Sequence, residues 1–184
     1  MRIIAGEFRG RILKSPAGNR TRPTSDRLRE TLFNVLAPRI GDDTRVLDLC
    51  AGTGAIGMEA LSRGAEFVTF VDKSRRACGL IEENLDLLGI EESKTEVVAL
   101  SAENFSGRNH APGWDIAFYD PPYDTDYSIV LFDFGADGAT LLRPGGVFIA
   151  EHHAKNILPD ASANLRRWRL LKQGDTCLSF YERS

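Results

Sequence analysis

Apolar positions along the chain change their spacing near residue 45. Ahead of it, residues 1–14 alternate only weakly through Ile3, Ile4, Phe8, Ile12 and Leu13, with Gly6 and Gly10 as punctuation. That pattern predicts a short hairpin or an extended arm. Residues 15–23 continue neither element and read as a loop. Thr24 or Ser25 can cap a helix running to about Leu36. In it Leu28, Leu32, Val35 and Leu36 share one face, Arg27 and Glu30 lie away from it, and Pro38 and Gly41 end it.

Beyond residue 45, short apolar runs alternate with helical patterns. Arg45–Cys50, Phe67–Val71, Val97–Leu100, Trp114–Tyr119 and Val147–Ala150 read as five buried strands. The helix after the first ends at Gly64. The next is capped by Ser74, turns Ala77, Ile81, Leu85 and Leu88 inward, and ends at Gly89. A short helix follows Ser101. A longer one begins near Tyr127, capped from Asp124-Thr125-Asp126, and runs through Leu141-Leu142 to a stop at Arg143-Pro144-Gly145-Gly146. Trp168–Leu171 and Cys177–Tyr181 form an antiparallel pair at one edge. Alternating strands and helices predict an α/β fold, a mostly parallel sheet with helices on both faces.

A chain of 184 residues with 42% apolar and 27% charged residues is expected to form one compact unit. No apolar run approaches the roughly 18 residues of a membrane span, and the first residues are no signal peptide. Cys50, Cys78 and Cys177 are scattered and odd in number, with no metal-like spacing, so free thiols in a reducing cytoplasm are expected. The net charge of −3 hides a division. Residues 1–39 carry nine Arg and Lys against three acids, net +6, and the remainder carries −9. A basic extension on an acidic body points to a polyanion partner.

Two stretches carry candidate chemistry. Gly52, Gly54 and Gly57 fit G-x-G-x-x-G straight after the first strand, and Asp72 stands 20 residues after Gly52, closing the second strand. This is a site for an adenosine-type cofactor, with the carboxylate on the ribose diol. NAD and S-adenosylmethionine both satisfy it. Asp48, in the first strand, can face a cationic cofactor, and no second domain remains to bring a substrate to a nicotinamide, which favours the sulfonium. The other stretch is Asp120-Pro121-Pro122-Tyr123, at the carboxyl end of the fourth strand, where open α/β sheets bind ligands. The prolines stiffen the turn, Asp120 and a carbonyl offer acceptors, and Tyr123 offers a flat face. Together these suit an amino group on a planar ring.

These motifs resemble the class I S-adenosylmethionine-dependent methyltransferases that act on exocyclic amino groups of bases. The opening residues narrow the resemblance: Met1–Gly6, Arg9-Gly10-Arg11, Arg22-Pro23-Thr24, Asp26-Arg27 and Arg29–Asn34 are similar to the bacterial enzymes that methylate N2 of one guanine (966) of 16S rRNA. The resemblance implies a Rossmann-like sheet of seven strands, the last antiparallel. Residues 1–39 would be an RNA-contacting extension and 40–184 the catalytic domain. S-adenosylmethionine would lie on the loop of Ala51, Gly52, Thr53 and Gly54 beside Asp48, with its ribose on Asp72 and its adenine against Ser101 and Ala102. The family commonly has Asp or Asn where Ser101 stands. Asp120, Pro121, Pro122 and Tyr123 would hold a flipped-out guanine. Arg2, Arg9, Arg11, Lys14, Arg22, Arg27 and Arg29 would meet RNA phosphates, with Arg27 and Arg29 alternatively bracing the cofactor pocket. The implied partner is 16S rRNA or the small ribosomal subunit, and a cytoplasmic, metal-free monomer is expected.

The alternatives are an adenine-N6 nucleic-acid methyltransferase and a catalytically silent RNA-binding module. Arg166, Arg167, Arg169 and Lys172 form a second basic cluster, read equally as rim contact or solvated strand. Glu151 is a candidate pocket contact. His152-His153 point to opposite sides and suit no shared metal, His110 is a loop residue, and Trp114 and Trp168 are expected in the core.

Overall fold

The computed structural model describes residues 1–16, 25–108 and 112–183, so Arg22, Thr24 and His110 lie outside it. Its centre is one twisted sheet of eight strands, ordered β3-β2-β1-β4-β5-β8-β7-β6. β1 (Arg45–Leu49), β2 (Phe67–Val71), β3 (Thr95–Val98), β4 (Trp114–Tyr119) and β5 (Leu142–His153) run parallel. β6 (Ala161–Ser162), β7 (Leu165–Gln173) and β8 (Thr176–Arg183) complete the edge, β8 lying antiparallel between β5 and β7. The eighth strand is the two-residue β6, folded back on β7 through Ala163 at φ +48°. A segment so short has no alternation to betray it in the sequence.

Residues alternate between two cores, as a pleated sheet requires. Val46, Val68, Ile116, Val147 and Leu178 face α1 (Asp26–Leu36), α2 (Ala55–Ser62) and α3 (Arg75–Leu88). Leu47, Ala117, Tyr119, Phe148 and Tyr181 face α4 (Ala102–Ser106) and α5 (Ser128–Gly135). Ser25, Ser74 and Ser101 accept hydrogen bonds from Leu28 N, Ala77 N and Asn104 N, capping α1, α3 and α4. The first residues form a narrow hairpin bridged at Arg2 and Ile12, and its Ile3 and Leu13 join Leu28 and Leu32 in the first core.

Three expectations are corrected. β3 begins at Thr95 and ends at Val98, two residues earlier than the apolar run suggests. It is an edge strand that buries no residue fully, so polar Thr95 and Glu96 are tolerated in it. α5 stops at Gly135 rather than continuing to Leu142. There the chain turns extended at Ala136, and Gly135 O accepts from Asn164 N at 2.9 Å. A β-carbon on Gly135 would stand 2.3 Å from Ser162 O, so the helix end docks on the β6 turn. Leu142 instead opens β5, and Arg143–Gly146 is an irregularity within that strand, with Gly145 at φ +76°. Trp168, expected inside, is 43% exposed on β7 and packs its ring near Arg39 and Phe180.

Candidate active site

Strand order reverses direction between β1 and β4, so the crevice at their carboxyl ends is where an α/β sheet binds a ligand. Both sequence motifs converge there. After Leu49 the chain leaves the sheet through Cys50 at φ +61°, then Gly52 at +57° and Gly54 at +75°, before α2 begins at Ala55. A β-carbon on Gly52 would meet only Cys50 O, at 4.0 Å, so the glycine is there for its backbone angle and leaves open space above the loop. Gly57 serves packing: its β-carbon would stand 2.3 Å from the Phe70 ring, so its absence lets α2 close on the sheet.

Asp72 ties this loop to the second strand. Its Oδ2 accepts from Gly52 N at 2.9 Å and its Oδ1 from Ser74 N at 2.8 Å. Each oxygen keeps a lone pair for a hydroxyl. Asp48 lies beneath the loop, buried, with Oδ2 accepting from Gly57 N at 3.0 Å. Burial first, then the Asp72 charge, push its carboxyl up to about 8 against the single backbone donor. A carboxyl held so poorly as an anion is improved by a cation beside it. Ser101 spends an acceptor on capping α4, and Ala102 is buried behind it.

Asp120 follows β4 in the next register step. Its N–H bonds Leu49 O at 3.3 Å, and its side-chain oxygens accept nothing within the described residues. Burial, then the charges of Glu151 and Asp48, hold its carboxyl well above the usual carboxylate range. The turn's carbonyls divide. Pro122 O accepts from Thr125 N at 3.0 Å and Tyr123 O from Asn156 Nδ2 at 2.7 Å, whereas Pro121 O, beside Asp120, accepts from no donor among the described residues. The Tyr123 ring is 37% exposed, braced edge-on by His153 at 5.4 Å and through its hydroxyl 3.4 Å from Thr176 Oγ1. An open groove of about 450 Å³ continues past it, lined by Asp124, Asp126, Tyr127, Asn156 and Pro159.

His152 is turned inward. Its Nδ1 donates to His153 O at 3.1 Å, so Nε2 accepts from the Ser179 hydroxyl at 2.9 Å, and burial lowers its pKa. Among the described residues no group of His, Cys, Asp and Glu is placed to hold a metal ion, and no helix is long and apolar enough to cross a membrane.

The proposed phosphate-binding residues separate. Arg2, Arg9, Arg11, Lys14 and Arg27 are exposed. Arg2 pairs with Asp26 at 3.4 Å and Lys14 with Glu83 at 2.9 Å, while Arg11 donates to Leu87 O at 3.0 Å. Arg29, expected with them, is 0% exposed. It donates to Arg2 O at 2.7 Å and Asp26 Oδ1 at 2.8 Å, so it braces the base of the hairpin and is withdrawn from any surface contact. Of the second basic cluster, Arg167 is committed to Asp160, Leu158 O and Ser179.

The sequence reading passed over three residues that shape this end of the molecule. Glu59 on α2 is fully buried, and its carboxylate accepts from Ile4 N at 2.7 Å, Ala5 N at 3.0 Å and Arg63 Nε at 2.7 Å. Asn84 on α3 is equally buried; its amide donates to Lys14 O at 3.1 Å and Thr53 O at 3.2 Å and accepts from Lys14 N at 2.7 Å. Glu103 acts electrostatically on both Cys50 and Tyr119, placing its charge at the crevice. Polar residues on otherwise amphipathic helices gave the only signal.

Comparison with known proteins places this geometry. The family described as Conserved hypothetical protein 95 matches residues 1–182. A Bacillus subtilis (strain 168) protein named "Putative rRNA methyltransferase YlbH" is 35% identical over 185 residues, covering 100% of this chain and 99% of that protein. An Escherichia coli (strain K12) protein named "Ribosomal RNA small subunit methyltransferase D" is 36% identical over 183 residues, covering 100% of this chain and 90% of its own length. A solved structure described as a putative methyltransferase, yhhF, from Escherichia coli superposes with a TM-score of 0.87 at 34% identity, covering 100% of this chain and 98% of that one.

Proposed function

The chain belongs to the family described as Conserved hypothetical protein 95, and from that premise we propose that it is an rRNA methyltransferase, transferring a methyl group from S-adenosylmethionine to the exocyclic N2 of a guanine in small-subunit rRNA. The observation that carries the reading is the convergence of a cofactor loop and an unsatisfied acceptor pair, Asp120 and Pro121 O, at one strand-end crevice.

The residues fit the cofactor. The open backbone at Gly52 admits a ligand, Asp72 offers oxygens to a ribose, and buried Asp48 gains from a positive charge. When bound, S-adenosylmethionine supplies an electrophilic methyl group on a sulfonium, whose thioether needs no acid to leave. What remains for the protein is the nucleophile. The guanine amino lone pair is delocalised into its ring. Asp120 and Pro121 O, each accepting one amino N–H, draw it back to nitrogen and fix its direction, with the Tyr123 ring stacked on the base. Asp120 is then placed to take the proton that the methylated nitrogen sheds, a task suited to a carboxylate whose basicity burial has raised.

The test is methyl transfer from labelled S-adenosylmethionine to small subunits lacking their own modification, to naked 16S rRNA and to duplex DNA, with the labelled nucleoside identified by mass. N2-methylguanosine from the subunit or its RNA is the expected product. N6-methyladenine would keep the turn chemistry and reject guanine; tight cofactor binding without transfer would leave a silent binding module.

A further inference from the structure

The turn Asp120–Tyr123 explains how an amino group is held, but not which base carries it, since adenine and cytosine also bear one. The neighbouring strand supplies the missing element. β4 and β5 are parallel with Tyr119 paired to Ala150, so the next residues along each, Asp120 and Glu151, stand side by side on one face of the sheet. That spacing is about 4.8 Å between backbones. Glu151 is 4% exposed, at the point where β5 reaches the crevice, and its carbonyl is pinned by the Tyr127 hydroxyl at 3.1 Å. The strand end that carries its carboxyl is therefore held in place. The two carboxyls interact electrostatically, and after burial the Glu151 charge is the largest influence on Asp120, ahead of Asp48.

We propose, resting on the methyltransferase reading above, that Glu151 is the base-reading residue, accepting the N1–H of guanine while Asp120 and Pro121 O hold the adjacent 2-amino group. Guanine alone among the amino-bearing bases places a ring N–H beside its amino group. Adenine and cytosine place a ring nitrogen lone pair there. A buried carboxylate facing that lone pair is repelled by it, which makes the rejection steep. The cationic cofactor and the N–H donors of the base favour both carboxyls in their ionised form in the complex. Glu151 thus turns an amino-group holder into a guanine reader.

The test uses small subunits assembled with 16S rRNA carrying 2-aminopurine in place of the target guanine. That base keeps the 2-amino group and lacks N1–H. The wild-type enzyme is expected to prefer guanine by about 100-fold in kcat/KM. Glu151→Gln, whose amide can donate to the bare ring nitrogen, should shrink that preference to a few-fold with cofactor affinity unchanged. A Glu151→Gln enzyme that slows on both bases equally would overturn the inference, assigning Glu151 a structural part. Should that variant not fold, the wild-type comparison still decides, since equal use of the two bases removes N1–H from recognition. Absence of methylation on guanine itself would sink the parent reading, a distinct result.

Discussion

At the scale of the residue, buried Asp48 and Glu151 and half-buried Asp120 gather at one end of the sheet, costly to the empty protein and useful to the loaded one. Asp120 has acceptor capacity that no described residue fills, which is what a substrate-binding group looks like before its substrate arrives. Asp120→Asn keeps the shape, loses the charge and substitutes a donor for one acceptor. Its kcat should fall by about 10²–10³ while cofactor affinity stays within a few-fold; near-wild-type turnover would remove Asp120 from the chemistry. Asp48 is tested through stability. Folded Asp48 keeps its proton to about pH 8, whereas an unfolded aspartate gives it up near 3.8. The folded state therefore binds the proton more tightly, and the wild type loses stability as pH rises through that window. Asp48→Asn abolishes the dependence. The stability of the variant relative to wild type, without cofactor, should grow by a few kcal/mol between about pH 4 and 8. A difference that stays flat in denaturation series across that range would contradict the assignment. The same variant should bind the cationic cofactor more weakly.

At the scale of the element, the N-terminal hairpin is a splint. Glu59 and Ser62 of α2 bind Ile4, Ala5, Phe8 and Glu7 through the backbone, and Asn84 of α3 joins Lys14 to Thr53 of the glycine loop. The cofactor loop is thereby clipped to the hairpin. Asn84→Leu, similar in size, leaves backbone groups of both segments unpaired. It should cost about 2–3 kcal/mol of stability and weaken cofactor binding, measured by denaturation and calorimetry. Unchanged cofactor affinity would show that the loop holds itself. None of these clips was legible in the sequence, because each joins residues more than 30 positions apart and falls on a helix whose pattern already made sense without it. What was legible came from local rules. Strands buried on both faces read as apolar runs, so β1, β2 and β4 were found within a residue, and serine caps located α1 and α3. Leu141-Leu142 misled, since a short apolar pair fits a helix face and a strand alike. Arg29 misled because a charged residue in a basic segment reads as surface until its partners, Asp26 and a carbonyl of the hairpin, are seen.

At the scale of the whole molecule, charge and fold are arranged together. A chain of net charge −3 is repelled by RNA at long range, yet its basic residues gather on the hairpin and α1, beside the cofactor loop. The acidic remainder favours an approach that brings RNA to this side. The structure sorts the basic residues further. Arg2 and Lys14 already have acidic partners, so a phosphate must displace Asp26 or Glu83 to reach them. Arg9 and Arg11 are exposed with no acidic partner among the described residues. They release counterions in full when they meet phosphate. Replacing both with Ala should lower the salt dependence of RNA affinity by about 1.4 in the slope of log K against log salt, near 0.7 for each contact to single strands. Lys14→Ala should lower it by less, because removing the lysine also frees Glu83. kcat at saturating RNA should not change, since neither arginine reaches the crevice residues. The measurement is a binding series from low to high salt with each variant. A slope unmoved by Arg9 and Arg11 together would take the hairpin out of the RNA contact and leave it solely as the splint of the cofactor loop.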